Sequence, residues 1–350
     1  VVASLTGKRP KVSGYDTTSF GQDKGFTLDW ASSAKGRDFS RVKVTSPSKG
    51  VSAQVGVLRD GGPVTNQGTK IVTDDHAPTV TVPADVTRPI RTPLALTGSG
   101  EDAAGDALVY LWEQTDRGGK TGIGLASNTK PVGPLFRVFG QEAIVGDSDA
   151  LIYNSPGENA ATDNPSRTFP DLAQILAGNT NAATGTCPAF TGGANTSMSG
   201  AQLQCFSEFL PTADYATGAG ALHFRLTARD LNPNGGGIGF GDVTLTVGSA
   251  GPLLVTSRST AGTTASGGAS ETVTWAVNGT DAAAYAPQVQ IAVSTDGGAT
   301  WTNAGGATAN DGSATITLPN VSTTDARIRV AAVGNYFFAI NGADFTIAAN

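Results

Sequence analysis

At 350 residues, the chain exceeds the roughly 100 to 150 residues that one hydrophobic core commonly serves, so two or three domains are expected. Its net charge of −6 includes no cluster of Lys and Arg, which excludes nucleic acids and anionic lipid surfaces from the expected partners. No apolar run approaches the roughly 20 residues that a membrane span needs, and the start at Val1 without Met predicts a removed leader or a fragment. We therefore expect a mature, soluble product.

The first part of the chain, residues 1–75, is β-rich but has no obvious core of its own. Strand-like runs occur at Phe26–Trp30, Phe39–Val44 and Val51–Leu58, separated by Gly, Ser and Pro turns. We interpret this region as an incomplete domain or as a segment that contacts another subunit. A junction is expected at about Pro78, because a clean alternation of Val and Thr begins directly after it.

Two further domains follow, and turn residues separate their short alternating strands. The first, residues 77–248, is interrupted by a loop-like insertion at about 117–215, which contains one short helix after Pro170 and Asp171. The second, residues 252–350, has strands about ten residues apart, which is typical of a sandwich, and Trp275 on an early strand is expected in its core. The predicted fold class is all-β, with tandem β-sandwich domains and a long, mostly irregular insertion.

The two cysteines, Cys187 and Cys205, lie close together in a polar stretch of the insertion. A disulfide between them would tether a loop that is too polar to pack by itself, and it would fit an oxidising exterior. The alternative is two free thiols. Zinc is not expected, because only His76 and His223 could complete a site and neither stands at ligand spacing.

Several unlinked motifs in the same order carry a resemblance. They are GSGEDAAGDALVYLWEQ, GPLFRVF, RTFPDLAQILAGNTNAATG, CFSEFLPTADY, LHFRLTARD, VTWAVNGT, VSTDGGATW, NDGSATITLPN and ARIRVAAVGNYFFAI. The first resembles the start of a PKD or cadherin-like sandwich module, and the whole run, about 77 to 348, is similar to the non-catalytic C-terminal region of bacterial secreted reprolysin-like metallopeptidases. The resemblance implies a PKD/cadherin-like domain followed by an Ig-like domain, in an extracellular setting.

The resemblance does not extend to catalysis. Those peptidases bind zinc through HExxH, and this sequence contains no HExxH and only two histidines. No GxSxG elbow occurs either. We therefore expect no enzymatic activity from this chain, unless it is the detached C-terminal part of a longer zinc metallopeptidase.

Acidic residues at predicted turns suggest a calcium site. Asp102 and Asp106 precede a strand that carries Glu113, and Asp230 and Asp242 flank the glycine-rich hairpin NPNGGGIGFGD. If these strands pair as in the related modules, the five carboxylates would meet at one end, and calcium takes six to eight oxygen ligands. The alternative is that Asp and Gly are present only as good turn formers.

Aromatic residues provide the other route to function, since rigid rings serve protein and carbohydrate binding. Tyr153, Trp301 and Tyr336 are the candidates. Our first hypothesis is a non-catalytic binding or adhesive region of a secreted or cell-surface bacterial protein, with a protein, glycan or cell-envelope surface as partner. The second is a structural subunit of an extracellular filament, in which copies associate by strand addition to an open sheet edge.

Overall fold

The computed structural model describes residues 76–117, 131–136, 161–178, 180, 208–232 and 236–350, together with the backbone of five strands nearer the start of the chain. Contacts divide the chain into two compact units, Val1–Val72 and Thr73–Asn350. The strands of the first unit are β1 (Val2–Thr6), β2 (Lys8–Ser13), β3 (Thr27–Ser32), β4 (Phe39–Thr45) and β5 (Gly56–Leu58). β1 pairs antiparallel with β2 and parallel with β5, while β3 and β4 form a separate antiparallel pair.

The second unit begins with a first sandwich, in which the described residues form eight strands. Its strands are β6 (Thr79–Thr81), β7 (Val86–Arg88), β8 (Leu94–Thr97), β9 (Ser99–Glu101), β10 (Val109–Gln114), β11 (Ser166–Phe169), β12 (Ala221–Arg229) and β13 (Ile238–Val247). One layer is the sheet β10-β12-β13-β7, and the pairs β6-β9 and β11-β8 form the other. The side chains of β12 alternate between the core and the solvent. Leu222, Phe224 and Leu226 are completely buried, while His223 between them is exposed.

The described part of the insertion contributes to this core. Phe136, Phe169 and Phe209 are at most 1% exposed, whereas Phe139, Tyr153 and Phe206 lie outside the described residues. The insertion also supplies strand β11 and two short helices, α1 (Leu172–Leu176) and α2 (Ala213–Thr217). No helix in the described part of the chain is long and apolar enough to cross a membrane.

Helix α1 forms where the sequence predicts it. The carboxylate of Asp171 accepts a hydrogen bond from the backbone N–H of Ala173 at 2.8 Å, which satisfies one of the free donors of the first turn. The strand β11, directly before it, was not separated from the insertion by the sequence pattern.

The second sandwich follows the Gly251–Pro252 junction. Its strands are β14 (Leu254–Val255), β15 (Thr264–Ser266), β16 (Ser270–Ala276), β17 (Gln288–Ser294), β18 (Thr302–Asn303), β19 (Thr308–Ala309), β20 (Ser313–Thr317), β21 (Thr323–Ala332), β22 (Phe338–Ile340) and β23 (Phe345–Ala348). One sheet is β14-β16-β20, and the other is β15-β23-β21-β17-β18, with β19 beside β17 and β22 beside β21. Trp275 is 4% exposed and fills the core, as expected, while its indole N–H donates to the Asn310 side chain at 2.8 Å.

Both sandwiches split their first strand between two sheets. In the first, β6 pairs with β9 in one layer and β7 pairs parallel with β13 in the other. In the second, β14 pairs with β16 and β15 pairs parallel with β23. This arrangement is typical of Ig-like sandwiches, and it confirms the predicted all-β fold of tandem sandwich domains.

The two sandwiches share backbone hydrogen bonds. The N–H of Ala95 donates to the carbonyl of Tyr336, and the N–H of Phe338 donates to the carbonyl of Pro93, both at 2.9 Å. The side-chain amide of Asn335 donates to the carbonyl of Thr87 at 2.8 Å. These contacts make the pair of sandwiches one continuous unit.

A buried arginine lies beside this junction. Arg88 is 1% exposed, its Nη2 donates to the carbonyl of Thr92, and its Nε and Nη1 have no hydrogen-bond partner among the described residues. Loss of solvation on burial lowers the pKa of the Arg88 guanidinium to about 9. No carboxylate among the described residues offsets this effect, so the charged form is costly for the fold.

Candidate functional site

The predicted calcium ligands separate into two groups. Asp102, Asp106 and Asp230 come together at the end of the first sandwich that carries the β12–β13 turn, which we call the distal end. The carboxylate of Asp106 accepts from the side-chain amide of Asn232 at 2.8 Å, and Asp230 accepts from the backbone N–H groups of Asn232 and Gly237. These carboxylates therefore brace the turn.

Glu113 and Asp242 belong to the second group, away from the distal end. In the register of the sheet, Glu113 lies opposite Arg225, which in turn lies opposite Asp242. Arg225 and Asp242 form a bidentate pair at 2.7 and 2.8 Å, and the hydrogen bonds from Arg225 lower the pKa of Asp242.

Asp242 is separated from the distal end because β13 is longer than the sequence predicts. The sequence pattern treats Ile238–Gly241 as part of a hairpin, whereas the strand already begins at Ile238. Asp242 is therefore carried roughly 13 Å along the strand, at about 3.3 Å per residue. The five predicted ligands do not form one site, and no three His, Cys, Asp or Glu residues in the described part of the chain are grouped to hold a metal ion.

The predicted aromatic candidates have different environments. Tyr336 packs against the core of the first sandwich, and its hydroxyl donates to the carbonyl of Ala84 at 2.9 Å, so it belongs to the junction. Trp301 is partly exposed, with the Arg329 guanidinium 4.7 Å from its ring centroid. Tyr153 and the expected disulfide between Cys187 and Cys205 lie outside the described residues.

His223 forms an oriented pair with an acid on the outer face of the first sandwich. Its Nδ1 lies 2.6 Å from a carboxylate oxygen of Asp116, and the other oxygen accepts the His223 backbone N–H at 2.9 Å. A hydrolase would also require a nucleophile on this imidazole. No Ser or Cys side chain within the described ranges hydrogen-bonds to it. The pair therefore has a structural explanation, since it links β12 to the segment that follows β10.

The most distinctive feature of the first sandwich is an open length of sheet edge. In the β12–β13 pair, the N–H of Asp230 donates to the carbonyl of Gly237, and alternate residues of an antiparallel strand face opposite sides. The odd-numbered residues of β13 therefore bond to β12. Ile238, Phe240 and Asp242 direct their backbone groups away from it, and no described backbone group pairs with them there.

The edge is open because the first strand changes sheets. β7 covers β13 only from Leu245 to Val247, and the preceding segment β6 belongs to the opposite layer. There β6 runs so close beneath β13 that a Cβ on Gly239 would lie 1.9 Å from the carbonyl oxygen of Pro78. Glycines at 239 and 241 permit this close approach, because they have no side chain. Since β6 lies beneath β13 and not beside it, no described strand pairs with this part of the edge.

Exposed apolar side chains accompany this edge. Ile238 and Phe240 are 54% and 56% exposed and lie on the outer face, because Val243 and Leu245 define the buried face of β13. The guanidinium of Arg225 stacks 4.0 Å from the centroid of the Phe240 ring, which fixes the ring in place. We call Ile238, Phe240 and Asp242, with their outward backbone groups, the β13 edge surface.

Sequence reasoning did not find this surface. The signal was present in the alternation of Ile238, Gly239, Phe240 and Gly241, which has the period of a strand with glycine on one face. Three preceding glycines favoured a loop interpretation instead. The open edge itself depends on where β6 crosses, which no local pattern reveals.

Comparison with known proteins yields neither a matching family model nor a matching curated protein. Among solved structures, the chain is similar to an I-band fragment from titin at 9% identity, covering 79% of this chain and 67% of that one, with a TM-score of 0.20. It is similar to the FN1–FN3 domains of chicken CNTN1 at 11% identity, covering 78% and 66%, with a TM-score of 0.22. It is also similar to the extracellular domains 3–5 of Drosophila OTK at 7% identity, covering 89% of this chain and 68% of that one, with a TM-score of 0.18.

The chain thus spans about two thirds of the length of these solved chains. Such low identities and TM-scores carry no argument about function, and no match links the chain to the metallopeptidases that its motifs resemble. The class is defined by the chain's own sheets, which are those of a tandem Ig-like β-sandwich protein.

Proposed function

We propose that this chain is a non-catalytic binding region of a secreted or cell-surface protein, and that it docks an extended segment of a protein partner on the β13 edge surface. The observation that carries the proposal is that outward backbone groups, which pair with no described residue, coincide with two exposed apolar side chains on the same strand. Added strands gain affinity from main-chain hydrogen bonds and specificity from alternate side chains.

The geometry indicates the chemistry of the docked segment. Side chains that lie beside each other on one face of neighbouring strands interact directly, so apolar residues are favoured next to Ile238 and Phe240. Asp242 lies on the same face and remains half exposed despite its pair with Arg225. The expected segment therefore has apolar residues at its first and third positions, beside Ile238 and Phe240. Its fifth position, beside Asp242, is a hydrogen-bond donor, and the second and fourth positions can be any residue.

The proposal can be tested with a displayed library of random eight-residue peptides, selected against the full chain and scored on variants. Phe240→Pro removes an outward N–H that makes no internal strand bond, and proline is tolerated on edge strands. Phe240→Ala removes only the ring. The matched control is Leu254→Ala, which truncates a side chain that is 48% exposed in the second sandwich.

We expect enriched peptides with the apolar alternation, whose binding falls at least tenfold on Phe240→Pro, falls less on Phe240→Ala and is unchanged on Leu254→Ala. Circular dichroism and thermal melting establish that each variant is folded. Peptides that bind Phe240→Pro as well as the parent chain would overturn the proposal, and so would a selection without enrichment.

Calcium at the distal end stays a prediction from the sequence. Its measurement is the melting temperature with added Ca²⁺ and with chelator, compared between the parent chain and Asp102→Asn. Asp102 is the informative position because its Oδ2 atom is buried without a hydrogen-bond partner among the described residues, whereas its Oδ1 accepts from Ala104 and Asp106. A melting temperature that is insensitive to Ca²⁺ would contradict the prediction.

A further inference from the structure

Charged side chains lie beside the β13 edge surface at its Asp242 end. Glu113, Arg225 and Asp242 are neighbours on β10, β12 and β13, so one guanidinium stands between two carboxylates. The hydrogen bond to Asp242 is the main cause that raises the pKa of Arg225, and the charge of Glu113 adds to it. Arg225 is therefore shared, and it cannot neutralise both carboxylates.

His223 cannot supply the missing positive charge either. It lies on β12 opposite Thr244, one row closer to β7. Its Nδ1 lies 2.6 Å from a carboxylate oxygen of Asp116, so that carboxylate offsets any positive charge on the imidazole. Neither Arg225 nor His223 is thus available to balance a further carboxylate at this end of the edge.

Asp85 provides such a carboxylate. It is an exposed residue in the segment that leads into β7, and its Oδ1 accepts the backbone N–H of Thr244 at 2.7 Å. Among the described residues, Asp85 has no ion-pair partner, and its Oδ2 makes no hydrogen bond. Because Thr244 follows Asp242 by two residues, these two positions are roughly 7 Å apart along the edge.

The two carboxylates adjoin the same part of a docked segment. Asp242 lies beside its fifth position, and the Asp85 carboxylate occupies the next outward N–H, so main-chain pairing cannot continue past this point. The side chain at the fifth position therefore lies between Asp242 and Asp85. Both are closer than, or comparable to, the Debye length of about 8 Å at physiological ionic strength, so their charges act on it with little screening.

The Ile238 end of the surface has no such excess of one sign. Arg229 lies opposite Ile238, and the buried carboxylate of Asp230 accepts the N–H of Gly237, so one charge of each sign adjoins the strand there. The charge preference is therefore confined to one end. Counted from Ile238, the fifth position follows the apolar pair in a parallel segment and precedes it in an antiparallel one.

We propose that the protein segment docked on the β13 edge surface carries lysine or arginine at its fifth position, and that Asp85 and Asp242 together select this positive charge. The inference rests on the proposed function, because it names the chemistry of the partner at the same surface. Lys and Arg have long stems and several N–H donors, so one side chain can bond to both carboxylates. Charges at the rim of an interface act mainly on the association rate and its salt dependence.

The test begins from the displayed eight-residue peptides selected on the full parent chain. The best binder is synthesised with Lys, Gln or Glu at the fifth position, and each affinity is measured at about 50 and about 500 mM salt. The variant Asp85→Asn removes the charge and keeps a side-chain oxygen that can accept the Thr244 N–H. The matched control is Asp281→Asn, which makes the same change of charge at an exposed position of the second sandwich.

The parent chain is expected to bind the Lys peptide about tenfold more tightly than the Glu peptide at low salt, with Gln between them, and the ratio should shrink at high salt. Asp85→Asn should lower this ratio about threefold, whereas Asp281→Asn should leave it unchanged. Equal binding of the Lys and Glu peptides by the parent chain would overturn the inference, whether or not a variant folds. A ratio that Asp85→Asn does not change would also overturn it, once thermal melting has confirmed that this variant is folded.

The two proposals fail in distinguishable ways. Peptides that lose binding on Phe240→Pro but show no charge preference at the fifth position would reject the selection of a basic residue and leave the proposed function standing. Peptides that bind Phe240→Pro as well as the parent chain would reject both.

Discussion

The carboxylate of Asp85 accepts the backbone N–H of Thr244 at 2.7 Å, at the point where the first strand of the sandwich leaves the side of β13. Thr244 is the last outward-facing residue before β7 begins to pair, at Leu245. The Asp85 carboxylate thus occupies the last outward N–H next to the part of β13 that β7 covers. Ile238, Phe240 and Asp242 precede this point, in the part of β13 that β7 does not cover. Native proteins usually protect such edges, and this edge, which no described strand covers, is the basis of the proposed docking surface.

Gly239→Ala is expected to destabilise the chain by about 1 to 3 kcal/mol, because the added methyl group would meet the Pro78 carbonyl at 1.9 Å and backbone must move. The control is Gly306→Ala, where a Cβ meets nothing within 4 Å. Urea unfolding of both variants measures the difference. Equal stability of the two variants would show that β6 does not cross beneath β13 as described.

Asn310→Ala is expected to cost about 2 to 4 kcal/mol of unfolding free energy. The buried Asn310 side chain accepts from the Trp275 indole and donates to the carbonyl of Ala286 at 3.0 Å, so its removal leaves both groups unsatisfied inside the core. Asn303→Ala, at an exposed position, should change stability by no more than about 0.5 kcal/mol. A shift in tryptophan fluorescence accompanies the loss if Trp275 is the affected group.

Asn335→Ala is expected to weaken the coupling between the sandwiches. The amide of Asn335 bonds to the carbonyl of Thr87 in the first sandwich and to that of Tyr285 in the second, so the variant loses a bridge worth about 1 to 3 kcal/mol. Differential scanning calorimetry should separate one transition into two or broaden it. An unchanged single transition would mean that the backbone contacts at Tyr336 and Phe338 are sufficient.

Arg88→Met is expected to preserve or raise stability at neutral pH, because it removes a buried charge that has no counter-ion among the residues the structure describes. Burial lowers the folded pKa of Arg88 from its ordinary value to about 9, so above about pH 9 the unfolded chain binds more protons than the folded chain and stability rises as pH increases. Arg88→Met should abolish that contribution, whereas the exposed control Arg91→Met should retain it. Melting temperatures between pH 7 and 10.5 provide the measurement, and a large loss of stability in Arg88→Met at pH 7 would contradict it.

The sequence predicted those features that depend on local periodicity. The all-β sandwich fold followed from alternation and turn chemistry, and α1 followed from the Asp171 cap. Trp275 was correctly expected in the core because it lies on an early alternating strand of its domain.

Features set by contacts between distant segments were missed. The glycines at 239 and 241 appeared to extend a hairpin, although they are strand residues whose missing side chains make room for β6. That error moved Asp242 away from Asp230 and removed it from the predicted calcium set. Tyr336 looked like a binding aromatic for a similar reason, since only the arrangement of the sandwiches shows that it faces Ala84.

The most direct test of the open edge is amide hydrogen exchange, measured residue by residue by NMR on a dilute sample in which the chain is monomeric. Gly239 and Gly241 bond to β12 and should be protected, whereas the amides of Phe240 and Asp242 should exchange rapidly and gain protection when a selected peptide docks. Strong protection of Phe240 and Asp242 in the free monomer would show that the edge is already covered, and would contradict the account.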